Sequence, residues 1–100
     1  MLKPIVWSNN SKHDMLELVD YLISNWGNKV ANDYIDIIEN LVNQISIFPK
    51  LYPIIHTKFK IRKCVISKHN TIYYREKKGC IEIINVFDTQ QHPEKTKIKK

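Results

Sequence analysis

Glycine is almost missing from this chain: there are two in 100 residues, Gly27 and Gly79. None of the patterns G-x-x-x-x-G-K, G-x-G-x-x-G or G-x-S-x-G is present, so a phosphate cradle or a nucleophile elbow is not expected. Cysteine is equally sparse. Cys64 and Cys80 form no C-x-x-C, and His13, His56, His69 and His92 show no zinc spacing. No metal site and no cofactor are therefore expected. No apolar run reaches the ~18 residues a membrane span needs. The opening M-L-K-P-I-V-W-S lacks the apolar stretch of a signal peptide, so no membrane partner and a cytoplasmic location are expected. Nor does a carboxylate pair at a strand end suggest a glycosidase or a metal-dependent nuclease.

What is present is an uneven charge. The net +6 divides into three lysines against six acids in residues 1–40, a balance of −3, and thirteen Lys/Arg against four acids in residues 41–100, a balance of +9. A basic half attracts phosphate backbones or acidic proteins. A hydrophobic content of 43% with 26% charged residues is that of a globular protein. The length fits one domain over residues 1–100, with a flexible basic tail from about residue 89.

Hydrophobic periodicity organises the chain. Lys3–Trp7 reads as a first strand, limited by Pro4 to an edge or a strand start. Ser8, Asn9, Asn10 and Ser11 offer N-caps for a helix over Lys12–Asn25. Its stripe is Met15, Leu16, Val19, Leu22, Ile23 and Trp26, with Asp14, Glu17 and Asp20 on the opposite, wet side. Gly27-Asn28 breaks that helix. A second helix over Lys29–Ile47 carries Ala31, Tyr34, Ile38, Leu41, Ile45 and Phe48, and stops at Pro49. A link this short makes the two helices an antiparallel hairpin. Residues 50–60 read as a loop, followed by strands over Ile61–Ile66, His69–Glu76 and Ile81–Asp88. The fold class is α+β, ordered β-α-α-β-β-β, a mainly antiparallel sheet covered by a helix hairpin. Cys64 and Cys80 then lie two strands apart, roughly 9–10 Å by strand spacing, too far for a disulfide.

The chain's two arginines, Arg62 and Arg75, lie on adjacent strands. If Ile66 faces Thr71, Cys64 faces Tyr73 and Arg62 faces Arg75, and a phosphate held between two guanidiniums would relieve their repulsion. A slip of one residue would put them on opposite faces instead. Lys58, Lys60, Lys63 and Lys68 surround this region in sequence as phosphate or RNA contacts. Of Tyr73 and Tyr74, one points to each face, and the outward one could stack on a base or move a proton. His92, beside Pro93 and Lys95, could serve as a general acid or base near neutral pH. Such groups suit metal-free RNA cleavage, in which the 2′-hydroxyl is the nucleophile and the protein stabilises phosphate charge.

Along nearly its full length the chain resembles the RelE/ParE superfamily of type II toxin–antitoxin toxins. The resemblance is carried by I-V-W-S, L-V-D-Y-L-I-S-N-W-G-N, A-N-D-Y-I-D-I-I-E-N-L-V-N-Q-I, F-P-K-L-Y-P, I-R-K-C-V-I-S-K-H-N-T-I-Y-Y-R and I-E-I-I-N-V-F-D-T-Q-Q-H-P-E-K, in that order and spacing. It implies a small growth-arresting toxin, neutralised by a cognate antitoxin in a hetero-oligomer. RelE-like members cut mRNA in the ribosomal A site, whereas ParE-like members poison DNA gyrase without a nuclease centre. Arg62 falls where RelE-like members keep a functional arginine, and His92 and Lys95 where some carry late catalytic residues. Many relatives have arginine where this chain has Gln90. The leading expectation is ribosome-dependent mRNA cleavage by Arg62, Arg75, Tyr73 and His92. The alternatives are gyrase inhibition and a degenerate relative that only binds the antitoxin.

Overall fold

The computed structural model of the protein describes residues 2–88. Its elements are β1 (Ile5–Trp7), α1 (Asn9–Trp26), α2 (Asn28–Ile47), β2 (Ile54–His56), β3 (Ile61–Ser67), β4 (Asn70–Lys77) and β5 (Cys80–Asp88). The expected strand–helix–helix–strands order is present, with one addition. Residues 54–56, expected as loop, pair with the start of β3 as a short edge strand. The sheet runs β1-β5-β4-β3-β2, antiparallel except where β1 joins β5 in parallel. Pro4 precedes the edge strand β1, and its carbonyl accepts from the Ile81 amide at 2.9 Å.

Local chemistry sets the helix ends. Ser8 caps α1 by accepting the Ser11 amide at 3.0 Å, so the helix begins one turn earlier than its apolar pattern suggests. Gly27 ends α1 and opens α2 in one residue, at φ 92° and ψ 172°. That backbone region is almost closed to any residue with a Cβ. No atom lies within 4 Å of where a Cβ would stand. Gly27→Ala is therefore expected to cost about 1–3 kcal/mol through backbone strain alone, measurable as a lower urea midpoint at unchanged m-value.

The core lies between the helix hairpin and one face of the sheet. Leu18, Leu22, Ala31, Ile38, Val42 and Ile45 meet Cys64, Ile72, Tyr74, Ile81, Ile83 and Val86. Helix α1 is rotated from the expected stripe. Leu18 and Leu22 are buried, while Leu16 and Trp26 are 67% and 63% exposed. The rotation also brings Asp14 inward, away from its expected wet side. Its carboxylate accepts the Val86 amide at 2.9 Å, joining α1 to the sheet by a charge-assisted bond. Further along the interface, the Tyr34 hydroxyl donates to Asn70 Oδ1 and lies 3.1 Å from Ser67 Oγ. Cys64 and Cys80 are free thiols on β3 and β5, separated by β4 as expected. No helix among the described residues is long and apolar enough to cross a membrane.

Candidate functional site

The register of β3 against β4 decides the site. Ser67 pairs with Asn70 across a two-residue turn, Lys68-His69, and an irregularity follows between Val65 and Ser67. The remaining pairs are Val65–Thr71, Cys64–Ile72, Lys63–Tyr73 and Arg62–Tyr74. The expected pairing of Arg62 with Arg75 is therefore off by one residue, and the two arginines lie on opposite faces. Arg62 shares the face of buried Cys64 and Tyr74, and Arg75 shares the outer face with Tyr73.

Each arginine has partners within the chain. Arg75 is opposite Glu82 on β5, and its Nε donates to Glu82 Oε1 at 2.9 Å. Lys77 Nζ comes to 4.0 Å of the same oxygen. Arg62 Nη1 donates to the Tyr52 carbonyl at 2.6 Å and reaches the Lys50 carbonyl at 3.5 Å. Its guanidinium thus ties the turn after α2 to the start of β3. Beneath that turn the Tyr74 hydroxyl donates to the Pro49 carbonyl at 2.7 Å, and the Tyr52 and Tyr74 rings meet edge-on, centroids 6.5 Å apart.

Around Arg62 opens a cleft of about 460 Å³ lined by Lys50, Ile54, Lys60, Arg62 and Glu76. Lys3 Nζ engages Glu76 at 3.0 Å. Neither Lys50 nor the Lys3–Glu76 pair was singled out from the sequence; a contact between positions 73 apart leaves no local signal. Lys60 is at φ 55°, a left-handed conformation uncommon for a residue with a side chain. Lys58 Nζ lies 5.4 Å from the centroid of the Phe59 ring, which stacks on His56 at 5.1 Å. Lys63 faces Tyr73 on the outer side of the sheet, and Lys68 sits in the β3–β4 turn. The lysines expected to ring one site are therefore divided between the cleft, the outer face and the far end of β3.

Tyr73 is the outward phenol and Tyr74 the inward one. Burial raises both phenols, that of Tyr74 to about 12 despite the pull of nearby Arg62. Both therefore hold their protons at neutral pH. Gln90, His92, Lys95 and the lysine-rich tail lie outside the described residues. Among the described residues no three His, Cys, Asp or Glu side chains gather where a metal could be held. A second, apolar groove of about 440 Å³ runs along the helices, lined by Trp7, Met15, Leu16, Val19, Ile35 and Ile38.

Comparison with known proteins agrees with this architecture. The chain superposes on a chain of the chromosomal ParDE toxin–antitoxin system from P. aeruginosa with a TM-score of 0.67. That alignment has 15% identity and covers 87% of this chain and 96% of the other. It also superposes on a chain of the E. coli DinJ-YafQ toxin–antitoxin complex with a TM-score of 0.57 and 10% identity, covering 92% and 98%. At these identities the likeness is one of fold. No curated protein matches the sequence. The family model for the ParE toxin of the parDE type II toxin–antitoxin system matches residues 5–93. A match over nearly the whole chain, joined to the observed helix hairpin and sheet, makes this protein a member of the ParE toxin family.

Proposed function

We propose that this toxin arrests growth by binding and inhibiting DNA gyrase, as a binding module without a nuclease centre. The observation that carries the reading is the β3–β4 register. RNA cleavage without a metal needs cationic and proton-transferring groups converging on one phosphate. Arg62 and Arg75 instead lie on opposite faces, Arg75 is neutralised by Glu82, and Tyr73 shares the outer face, away from Arg62. The ParE family match supports the same choice.

The partner that controls the toxin is its cognate antitoxin, in a hetero-oligomer. The apolar groove beside Met15, Leu16 and Ile35 suits anchors from an amphipathic segment. The groove is built from the −3 half, so acidic residues in a part of the antitoxin that reaches beyond it would complement the +9 balance of residues 41–100.

Inducing the toxin alone is expected to stop growth, and co-expressing the antitoxin to restore it. Primer extension on messages from the arrested cells is expected to find no new ends at ribosomal A sites. Cuts there would overturn the gyrase reading in favour of mRNA cleavage, and normal growth would identify a degenerate antitoxin-binding relative.

A further inference from the structure

From Asn40 to Arg75 the chain contains no aspartate or glutamate, while Lys50, Lys58, Lys60, Arg62, Lys63, Lys68 and Arg75 all fall there. The fold gathers three of these cations, Lys50, Lys60 and Arg62, into one cleft. Its single acid, Glu76, is engaged by Lys3 at 3.0 Å. The cleft is therefore strongly positive, with its carboxylate already neutralised. Arg62 spends one nitrogen, Nη1, on backbone carbonyls; among the described residues its Nε and Nη2 have no partner. A guanidinium anchored by one corner, with the rest of its fork open, is prepared for a phosphate oxygen.

Lys60 adds an independent observation. It holds the left-handed conformation at φ 55°, where glycine would be relaxed. Strained backbone of this kind collects at ligand-binding sites, and here it belongs to a side chain that lines the cleft. The neighbouring aromatic ring argues about the ligand's form. Phe59 is exposed and stacked on His56 with Lys58 near its centroid, but it does not line the cleft, whose lining among the described residues includes no aromatic residue. Single-stranded nucleic acid is held largely by bases stacking on open aromatic platforms. A cleft of cations without such a platform suits the regular phosphates of a duplex.

We propose that the Lys50–Lys60–Arg62 cleft is a sequence-independent docking site for the phosphate backbone of duplex DNA. It takes its setting from the gyrase reading, because gyrase presents the toxin with a bound duplex, but its test does not involve gyrase. The antitoxin-free toxin is titrated into a labelled duplex of mixed sequence at several salt concentrations, with single-stranded RNA of the same sequence alongside. Three phosphate contacts predict a log–log salt slope of about −2.7 for the duplex. Lys50→Ala and Lys60→Gly should each weaken binding and flatten the slope by about one. Lys60→Gly also relieves the strain at φ 55°, so its melting temperature should be unchanged or higher, which separates lost contact from lost fold. Lys68→Ala, in the turn at the far end of β3, should leave the slope as it is. Absence of duplex binding, tighter binding to the RNA, or a full slope retained by Lys60→Gly would each overturn the proposal.

Discussion

Tyr74→Ala is expected to destabilise the protein by about 3–5 kcal/mol, the usual cost of deleting a buried aromatic ring. Tyr74 is 0% exposed in the middle of the sheet, paired with Arg62 on β3 and Ile83 on β5. Its ring supports Tyr52 edge-on, and its hydroxyl holds the Pro49 carbonyl. A domain of this size is stable by only ~5–15 kcal/mol, so the substitution would remove a large part of the total. Tyr74→Phe keeps the ring and loses the bond to Pro49, at an expected cost of about 0.5–1.5 kcal/mol. Urea unfolding followed by Trp7 and Trp26 fluorescence would measure both. The effect should also reach the cleft, because Pro49, Lys50 and Tyr52 lie on the turn that Tyr74 and Arg62 hold from two sides. A loss below about 1 kcal/mol for Tyr74→Ala would contradict its place in the core.

Alkaline pH should be unusually damaging. The Tyr74 phenol is raised from 10.0 to about 12 in the folded protein, chiefly by burial. Burial also raises Tyr34, Tyr52 and Tyr73. Between pH 10 and 12 the unfolded chain has released the Tyr74 proton and the folded chain still holds it. The unfolded state then binds fewer protons, so stability falls with rising pH. The contribution of Tyr74 is intact below pH 10 and declines by roughly 1.4 kcal/mol per pH unit above it, about 2–3 kcal/mol across the interval. In Tyr74→Phe the same scan should show a shallower decline. Identical slopes in the two proteins would mean that Tyr74 is not a buried, protonated phenol.

The β-α-α-β-β-β order was legible because helical periodicity, strand alternation and the Gly27 and Pro49 breaks agree along the chain. Rotation and register were less so. Asp14 looks like part of a wet face until the Val86 amide on the sheet is known to need an acceptor. Leu18 outranks Leu16 in burial because tertiary packing chose a neighbouring stripe. The strand over Ile54–His56 is three residues long, too short for alternation to register. Most consequential is the β3–β4 turn. Placing it at Lys68-His69, with the irregularity beside Val65, moves every partner by one and separates Arg62 from Arg75. No sequence signal marks that irregularity, and because the turn sets the register of the whole pair, its shift carries through to Arg62 at the opposite end of β3.

The toxin reading rests most directly on what happens to gyrase. Purified, antitoxin-free toxin added to DNA gyrase and relaxed plasmid is expected to abolish supercoiling and to accumulate cleaved plasmid once the protein is denatured. Prior addition of the antitoxin should prevent both effects. Full supercoiling activity, with no cleaved plasmid, at a toxin concentration that exceeds gyrase would contradict the account.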